Sequence, residues 1–393
     1  MQTIQIADGC SQVTSGATPS RKKPEYFIGD IPWLKTKELN DALIGATEEH
    51  ISESALAETS CKLIPAGAVV MAMYGATVGK LGILGTPMTT NQACCAMIAD
   101  EVSLHSQYLF YWLLQNRQSV INLSNGAAQQ NLSVRSIKNI ALKIPMLEKQ
   151  IRTAYVLKSL DDKISTNVRI INAIDSLVDV LYSRVSKKPT EQSFAEVVQV
   201  FGGSTPSTKN DAFWDGDINW ATPTDITALD GPWIGDTSRK ITEAGLASMS
   251  SSLHPENSIL LTSRATIGAI ALASGPIATN QGFIVVEAPD ELTPWLFAQM
   301  KARKREFEAW ANGATFMELS RGNFKKLPFI GCSDDDLQAF NEAAWPLLKR
   351  AQAAQKENEV LARTRDELLP LLMSGRITVG EAEDAADEAA SES

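Results

Sequence analysis

From Leu147 to Arg184 the chain carries neither proline nor glycine, and its apolar residues keep a seven-residue beat. Leu160, Ile174 and Leu181 form the line, flanked by Ile164, Ile171 and Val178 and by Ile170 and Leu177. The same beat returns at an offset of 191 through Ala351, Asn358 and Leu372, flanked by Leu361, Leu368, Ala362 and Leu369. Such patterns predict two long helices paired as an antiparallel coiled coil. At 1.5 Å per residue the first would be roughly 57 Å long, a rod between globular parts. Asn167 and Asn358 fall at matching seam positions near mid-helix, so an antiparallel pair should bring them together and fix the register.

The remaining segments read as short strands and turns. Gly67 to Met88 is the most apolar stretch, but Lys80 and five glycines interrupt it. It predicts strand, turn and strand rather than a membrane span. Ile144-Pro145-Met146-Leu147-Glu148-Lys149-Gln150 punctuates the entry to the first helix, and Lys187-Lys188-Pro189 follows its end as a linker.

These globular segments repeat. Gly16-Ala-Thr-Pro-Ser20 recurs as Gly203-Ser-Thr-Pro-Ser207, and at the same offset of 187 Lys22, Gly29-Asp30-Ile31 and Trp33 meet Lys209, Gly216-Asp217-Ile218 and Trp220. Thr77-Val-Gly79 and Thr90-Asn91-Gln92 return 189 residues later as Thr266-Ile-Gly268 and Thr279-Asn280-Gln281. Tyr108-Leu-Phe110, Asn125-Gly-Ala127 and Leu132-Ser133 return at 187 as Trp295-Leu-Phe297, Asn312-Gly-Ala314 and Leu319-Ser320. An ordered set occurring twice is a tandem duplication. The expected order is a globular domain over 1–146, a helix over 147–188, a second domain over 189–333, a helix over 334–376 and an acidic disordered tail over 377–393. The fold class is α+β, with a mixed or antiparallel sheet plus helices in each repeated domain.

Composition changes this picture little, and charge changes it more. The 393 residues are 44% apolar and 21% charged, the balance of a soluble globular protein. Five cysteines form no CxxC pair and three histidines are scattered, so no metal or disulfide framework is expected. No basic-then-apolar segment opens the chain, and a cytoplasmic location is expected. Net charge is −10, but the last 17 residues hold six acidic residues and no basic one, so the rest of the chain is close to neutral. A neutral body predicts weak DNA affinity in isolation, with a basic partner supplying the remainder.

In Gly-x-Thr-Pro-Ser, the glycine frees the backbone and the proline fixes φ, so two hydroxyls and neighbouring amides are presented on a tight loop. That loop either holds a phosphate or satisfies its own backbone. Thr18, Ser20, Arg21, Lys22 and Lys23 in the first copy, and Thr205, Ser207 and Lys209 in the second, are the candidate backbone contacts. Asn and Gln can pair with adenine. If the two copies read different sequences, a side chain they share cannot tell those sequences apart, so Asn91, Gln92, Asn280 and Gln281 are expected to be scaffolding. Base reading would then be expected at positions where the copies differ: Met73 and Tyr74 against Ser263 and Arg264, Lys80 against Ala269, and the loops with Gln129, Gln130 and Asn131 or Thr315, Phe316, Met317 and Glu318. Arg264 is the candidate guanine contact, with a surface ion pair as its alternative. Gly75-Ala-Thr-Val-Gly79-Lys80 mimics a phosphate-binding loop, but its glycines are one residue too close and Leu81 replaces the required hydroxyl. No catalytic motif is found, and a non-catalytic chain is expected.

Over residues 1 to about 376 this set of motifs resembles the specificity (S) subunit of type I restriction-modification systems. The carriers are the paired Gly-x-Thr-Pro-Ser, Gly-Asp-Ile-x-Trp, Thr-Asn-Gln and Asn-Gly-Ala motifs and the helix after Pro145. The resemblance implies that each domain reads one half of a bipartite, asymmetric double-stranded DNA site, with the helices setting the spacer. It implies two modification subunits docked on the helices and two restriction subunits beyond them. S-adenosylmethionine, ATP and Mg would be bound by those partners and not by this chain. The second domain departs from the family pattern at its helix entry, where Gly331-Cys-Ser-Asp-Asp-Asp-Leu-Gln338 stands, leaving the start of the second helix open. The reading from another class is a pseudosymmetric coiled-coil scaffold that does not bind DNA.

Overall fold

The computed structural model describes residues 2–123, 131–311 and 317–391. The chain divides into two compact units, residues 1–163 with 361–392 and residues 164–360. In the first, Val69–Ala72 lies at the centre of a five-stranded mixed sheet ordered Cys10–Ser15, Cys94–Ala99, Val69–Ala72, Leu81–Leu84, Ala42–Ile44, with only the last pair parallel. Three central strands are buried on both faces, which is why they read as unbroken apolar runs. A second, three-stranded sheet is ordered His50–Ile51, Ile31–Leu34, Thr89–Thr90.

The second unit repeats this topology strand for strand. Its five-stranded sheet runs Gln199–Gly202, Phe283–Glu287, Ile259–Thr262, Ile270–Ala273, Trp233–Ile234, again with only the last pair parallel. Its small sheet runs Lys240–Ile241, Trp214–Ala221, Ala278–Thr279. In each unit one helix, Ser106–Gln115 or Thr293–Ala302, buries its apolar face against the larger sheet. The expected α+β class with duplicated domains is what the chain adopts.

The long helices are Leu147–Arg184 and Asp334–Ser374, and they run antiparallel. In the first unit Arg365 Nη1 reaches Asp161 Oδ1 at 2.7 Å, and Tyr111 donates to Asp161 Oδ2 at 2.5 Å. Burial first, and then the Asp161 carboxylate, hold the Tyr111 phenol well above its usual range. In the second unit Asn167 meets Asn358. The buried stripe of the first helix runs through Leu157, Leu160, Asn167, Ile171, Ile174 and Val178. Leu177, expected on the flank of that stripe, is 44% exposed, while Tyr182 is buried instead. The stripe follows the 3.6-residue turn through 178 to 182, where the Tyr182 ring meets Phe340 of the second long helix edge to face with centroids 6.2 Å apart.

Gln150 locks the first helix entry, accepting from the His105 amide at 3.0 Å and donating to the Pro145 carbonyl at 3.0 Å. The second helix begins at Asp334, where Ser333 accepts from the Asp336 amide at 3.2 Å. Asn341, which stands 191 residues after Gln150, donates to the Glu291 carbonyl, so a shorter amide does the anchoring there.

The acidic tail departs from expectation. Val379–Ser391 is a helix with Val379, Ala382, Ala386 and Ala389 buried, so it is not a disordered tail. Alanine is the best helix former, and these positions recur three and four residues apart. A reading by charge alone hides that face.

Candidate nucleic-acid interface

The duplicated motifs converge on one junction in each unit. Gly16 passes so close to the end of Ile31–Leu34's neighbour strand that an added Cβ would lie 1.9 Å from the Thr90 carbonyl oxygen. At Gly203 it would lie 2.1 Å from the Asn280 carbonyl oxygen. The next amide in each copy, Ala17 or Ser204, donates to the carbonyl of Thr90 or Thr279 at 2.9 and 3.0 Å. The carbonyl of that residue accepts the indole N–H of Trp33 or Trp220 at 3.0 and 3.1 Å. Gly-x-Thr-Pro-Ser, Gly-Asp-Ile-x-Trp and Thr-Asn-Gln are thus three sides of one joint.

Within it the polar side chains mostly serve the joint. Thr18 donates to Gln92 Oε1, and Thr205 donates to Gln281 Oε1 at 2.5 Å. Asn91 accepts from the Ala93 amide at 3.1 Å and Asn280 from the Gly282 amide at 2.8 Å. Ser20 and Ser207 accept from the Lys22 and Lys209 amides, both at 3.4 Å. Both serines are exposed and each still has its own O–H to donate.

The cations divide into held and free. Lys23 is tied to Tyr26 Oη at 2.7 Å and to Glu58 at 3.3 Å, and the Tyr26 hydrogen bond foremost holds its pKa above the usual lysine range. Arg21 is paired with Glu49 at 2.7 Å. Lys80 is paired with Asp41 at 2.9 Å, and Arg264 Nε with Glu318 Oε1 at 2.9 Å. Lys22 and Lys209 are exposed at equivalent positions and have no acidic partner among the described residues. Tyr74 is 39% exposed. Gln129, Gln130, Thr315 and Phe316, with both Asn-Gly-Ala segments, lie outside the described residues.

Asn167 is fully buried and donates through Nδ2 to Asn358 Oδ1 at 3.0 Å and to Glu357 Oε2 at 2.7 Å. Glu357 was not among the sequence candidates, because it sits one position off the seam line. The cysteines are all free, with only Cys332 partly exposed, and burial foremost pushes the Cys94 and Cys95 thiols up to about 12. Among the described residues no cluster of three or more metal-ligating side chains occurs, and no helix is long and apolar enough to cross a membrane.

Residues 1–176 and 190–330 match the family described as type I restriction modification DNA specificity domain. The chain belongs to that family. It is 32% identical over 94% of its length to the type I restriction enzyme MjaIX specificity subunit of Methanocaldococcus jannaschii, covering 92% of that protein. A match at 27% identity to the EcoR124I/EcoR124II specificity subunit of Escherichia coli covers 37% of each chain. The crystal structure of a type I restriction-modification S subunit from M. genitalium shares the fold, with a TM-score of 0.62 over 94% of this chain and 95% of that one at 13% identity.

Within this specificity family member, one feature of the interface was invisible in the repeat comparison. Arg239 is exposed and lies 3.5 Å over the Trp214 ring. It has no counterpart arginine at the matching position of the first unit, so a search for repeated residues passes over it.

Proposed function

We propose that each unit reads one half of a bipartite, asymmetric double-stranded DNA site for a type I restriction-modification complex. The observation that carries this is the pairing of an identical joint in both units with different exposed residues around it. Two similar modules fit two half-sites, and different readers fit an asymmetric site. Lys22 and Lys209, with Ser20 and Ser207 beside them, supply backbone contacts that place each reader. Tyr74 and the divergent loops supply base contacts. Lys80 and Arg264 join them by exchanging their ion pairs with Asp41 and Glu318 for the duplex. The chain itself is non-catalytic. Its partners are two modification subunits docked on the long helices and two restriction subunits beyond them, and these bind S-adenosylmethionine, ATP and Mg. Methylation of adenine requires that the base be flipped from the stack, in a pocket of the modification subunit. Asn167, Asn358 and Glu357 fix the register of the helix pair at some cost in stability.

Exchanging residues 1–146 for the same part of another member is expected to change one half of the methylated sequence and leave the other half as it was. Methylome sequencing reads this directly, and both halves changing would refute independent readers. Removing one heptad from each long helix is expected to shorten the unread spacer or abolish methylation. Methylation at the original sites with the original spacing would rule out the helices as the ruler. The scaffold reading, by contrast, predicts no methylation dependent on this chain at all.

A further inference from the structure

The two units place a guanidinium on the same aromatic pair, but deliver it from different positions. Phe27 and Trp33 stand edge to face with centroids 5.8 Å apart, and 187 residues later Trp214 and Trp220 do the same at 5.0 Å. Arg21 lies 4.1 Å over Phe27 and 5.3 Å over Trp33. Arg239 lies 3.5 Å over Trp214 and 5.8 Å over Trp220.

Backbone contacts establish which residues correspond. The Trp33 amide donates to the Glu49 carbonyl at 3.0 Å and the Trp220 amide to the Arg239 carbonyl at 3.3 Å. The same two amides also meet the hydroxyls of Thr47 and Thr237, at 3.2 and 3.1 Å. Arg239 therefore occupies the place of Glu49, and at the offset of 187 Thr208 occupies the place of Arg21. A carboxylate has become a guanidinium, and the guanidinium opposite it has become a hydroxyl.

The electrostatic consequence differs sharply between the copies. In the first unit Arg21 is neutralised by Glu49 at 2.7 Å, and Lys35 holds the same carboxylate at 2.6 Å. In the second unit no carboxylate among the described residues lies within ion-pair distance of Arg239. The Lys209 loop lies against the same ring, the Trp214 indole donating to the Ser207 carbonyl at 3.2 Å, and Lys209 too has no acidic partner among the described residues. With its guanidinium carbon held 3.5 Å over the Trp214 ring, Arg239 is already ordered, so less side-chain freedom is lost when it binds. Its planar fork of donors matches two oxygens of a phosphate.

We propose that Arg239, with Lys209 beside it, is a phosphodiester-binding position of the second unit, one that the first unit has closed with the Arg21–Glu49 pair. This rests on the reading that the chain binds duplex DNA. It makes the second unit the stronger holder of the DNA backbone. On a chain whose net charge is −10, each unpaired cation counts.

The test uses the full chain with its modification subunits and a labelled duplex of random sequence, with affinity measured across a salt series. Each phosphate neutralised contributes about 0.9 to the slope of log affinity against log salt. Arg239→Gln is expected to reduce that slope by about 0.9, while Arg239→Lys keeps it. Glu49→Gln, which releases Arg21, is expected to steepen the slope by a similar amount. An unchanged slope in Arg239→Gln, with the wild-type complex binding the duplex, overturns the proposal and leaves the DNA reading intact. Should Arg239→Gln fail to fold, an unchanged slope in Glu49→Gln overturns it equally. A wild-type complex that binds no duplex at any salt overturns both.

Discussion

Trp233→Ala is expected to destabilise the second unit by about 3–5 kcal/mol, while Leu43→Ala, at the same sheet position of the first unit, changes stability by at most about 0.5 kcal/mol. The two positions correspond because Leu43 faces Ile83 and Trp233 faces Leu272 in parallel edge pairs of identical topology. Their surroundings are opposite. Leu43 is 54% exposed and Trp233 is 2% exposed. The Trp233 indole donates to the Leu348 carbonyl at 2.8 Å and stacks on Trp345 with centroids 6.1 Å apart. Gln355 bridges its backbone, accepting from the Trp233 amide at 3.0 Å and donating to the Trp233 carbonyl at 2.9 Å. Truncation therefore opens a cavity and strips the indole donor from a buried helix carbonyl, and the two costs add. Hydrogen exchange gives the spatial check: in Trp233→Ala protection falls in 345–355 and 270–273, and the strands of residues 69–99 keep theirs. Equal loss in both variants, or loss spread through both units, would show that the edge strand is not what fastens this sheet to the second long helix.

That asymmetry marks where sequence comparison works and where it stops. The joint was legible because each of its repeated residues sits where two backbones meet. Gly16 has no room for a Cβ, Trp33 has one carbonyl to donate to, and Asn91 closes a turn on its own backbone. Residues so confined cannot drift between the copies, so they stand out as a repeat. The helices were legible because a seam obeys a period, and the same rule placed Asn167 against Asn358. Glu357 escaped because its carboxylate enters the seam from the neighbouring position, which a period does not describe. The tail escaped for a different reason: six acidic residues obscured the regular spacing of Val379, Ala382, Ala386 and Ala389. Among the candidate contacts, residue type alone could not separate the free Lys22 from Lys23 and Arg21, because the carboxylates that hold the latter two, Glu58 and Glu49, lie far along the chain. Arg239 was hidden more deeply, since what the two units share there is a place over an aromatic pair and not a position in the alignment.

If confinement explains the joint, then a single methyl group should break it. Gly16→Ala and Gly203→Ala are each expected to cost about 2–4 kcal/mol, combining overpacking of about 1–3 kcal/mol with weakened hydrogen bonds of about 1 kcal/mol. Neither glycine has a left-handed backbone, so the cost is one of space and not of strain. Nor can flexible side chains yield to relieve it. The threonine hydroxyls of Thr90 and Thr279 would lie 2.2 Å from the new Cβ, but turning them aside leaves backbone in the way, with the Thr90 carbonyl oxygen 1.9 Å from a Cβ on Gly16, and the Thr279 and Asn280 carbonyl oxygens 2.3 and 2.1 Å from one on Gly203. To make room, the loop must lift from the turn. That would loosen the Ala17-to-Thr90 bond, the Trp33 indole bond and the Thr18-to-Gln92 bond, or their counterparts, and carry Ser20 and Lys22 or Ser207 and Lys209 with it. Gly275→Ala is the control, since a Cβ there meets nothing within 4 Å and the expected change is within about 0.5 kcal/mol. Thermal melting ranks the three variants. Methylome sequencing then separates the two joints, because Gly16→Ala should relax the first half of the recognised site and Gly203→Ala the second. Melting of Gly16→Ala indistinguishable from that of Gly275→Ala would mean that the close approach of these backbones is not what holds the reader in place.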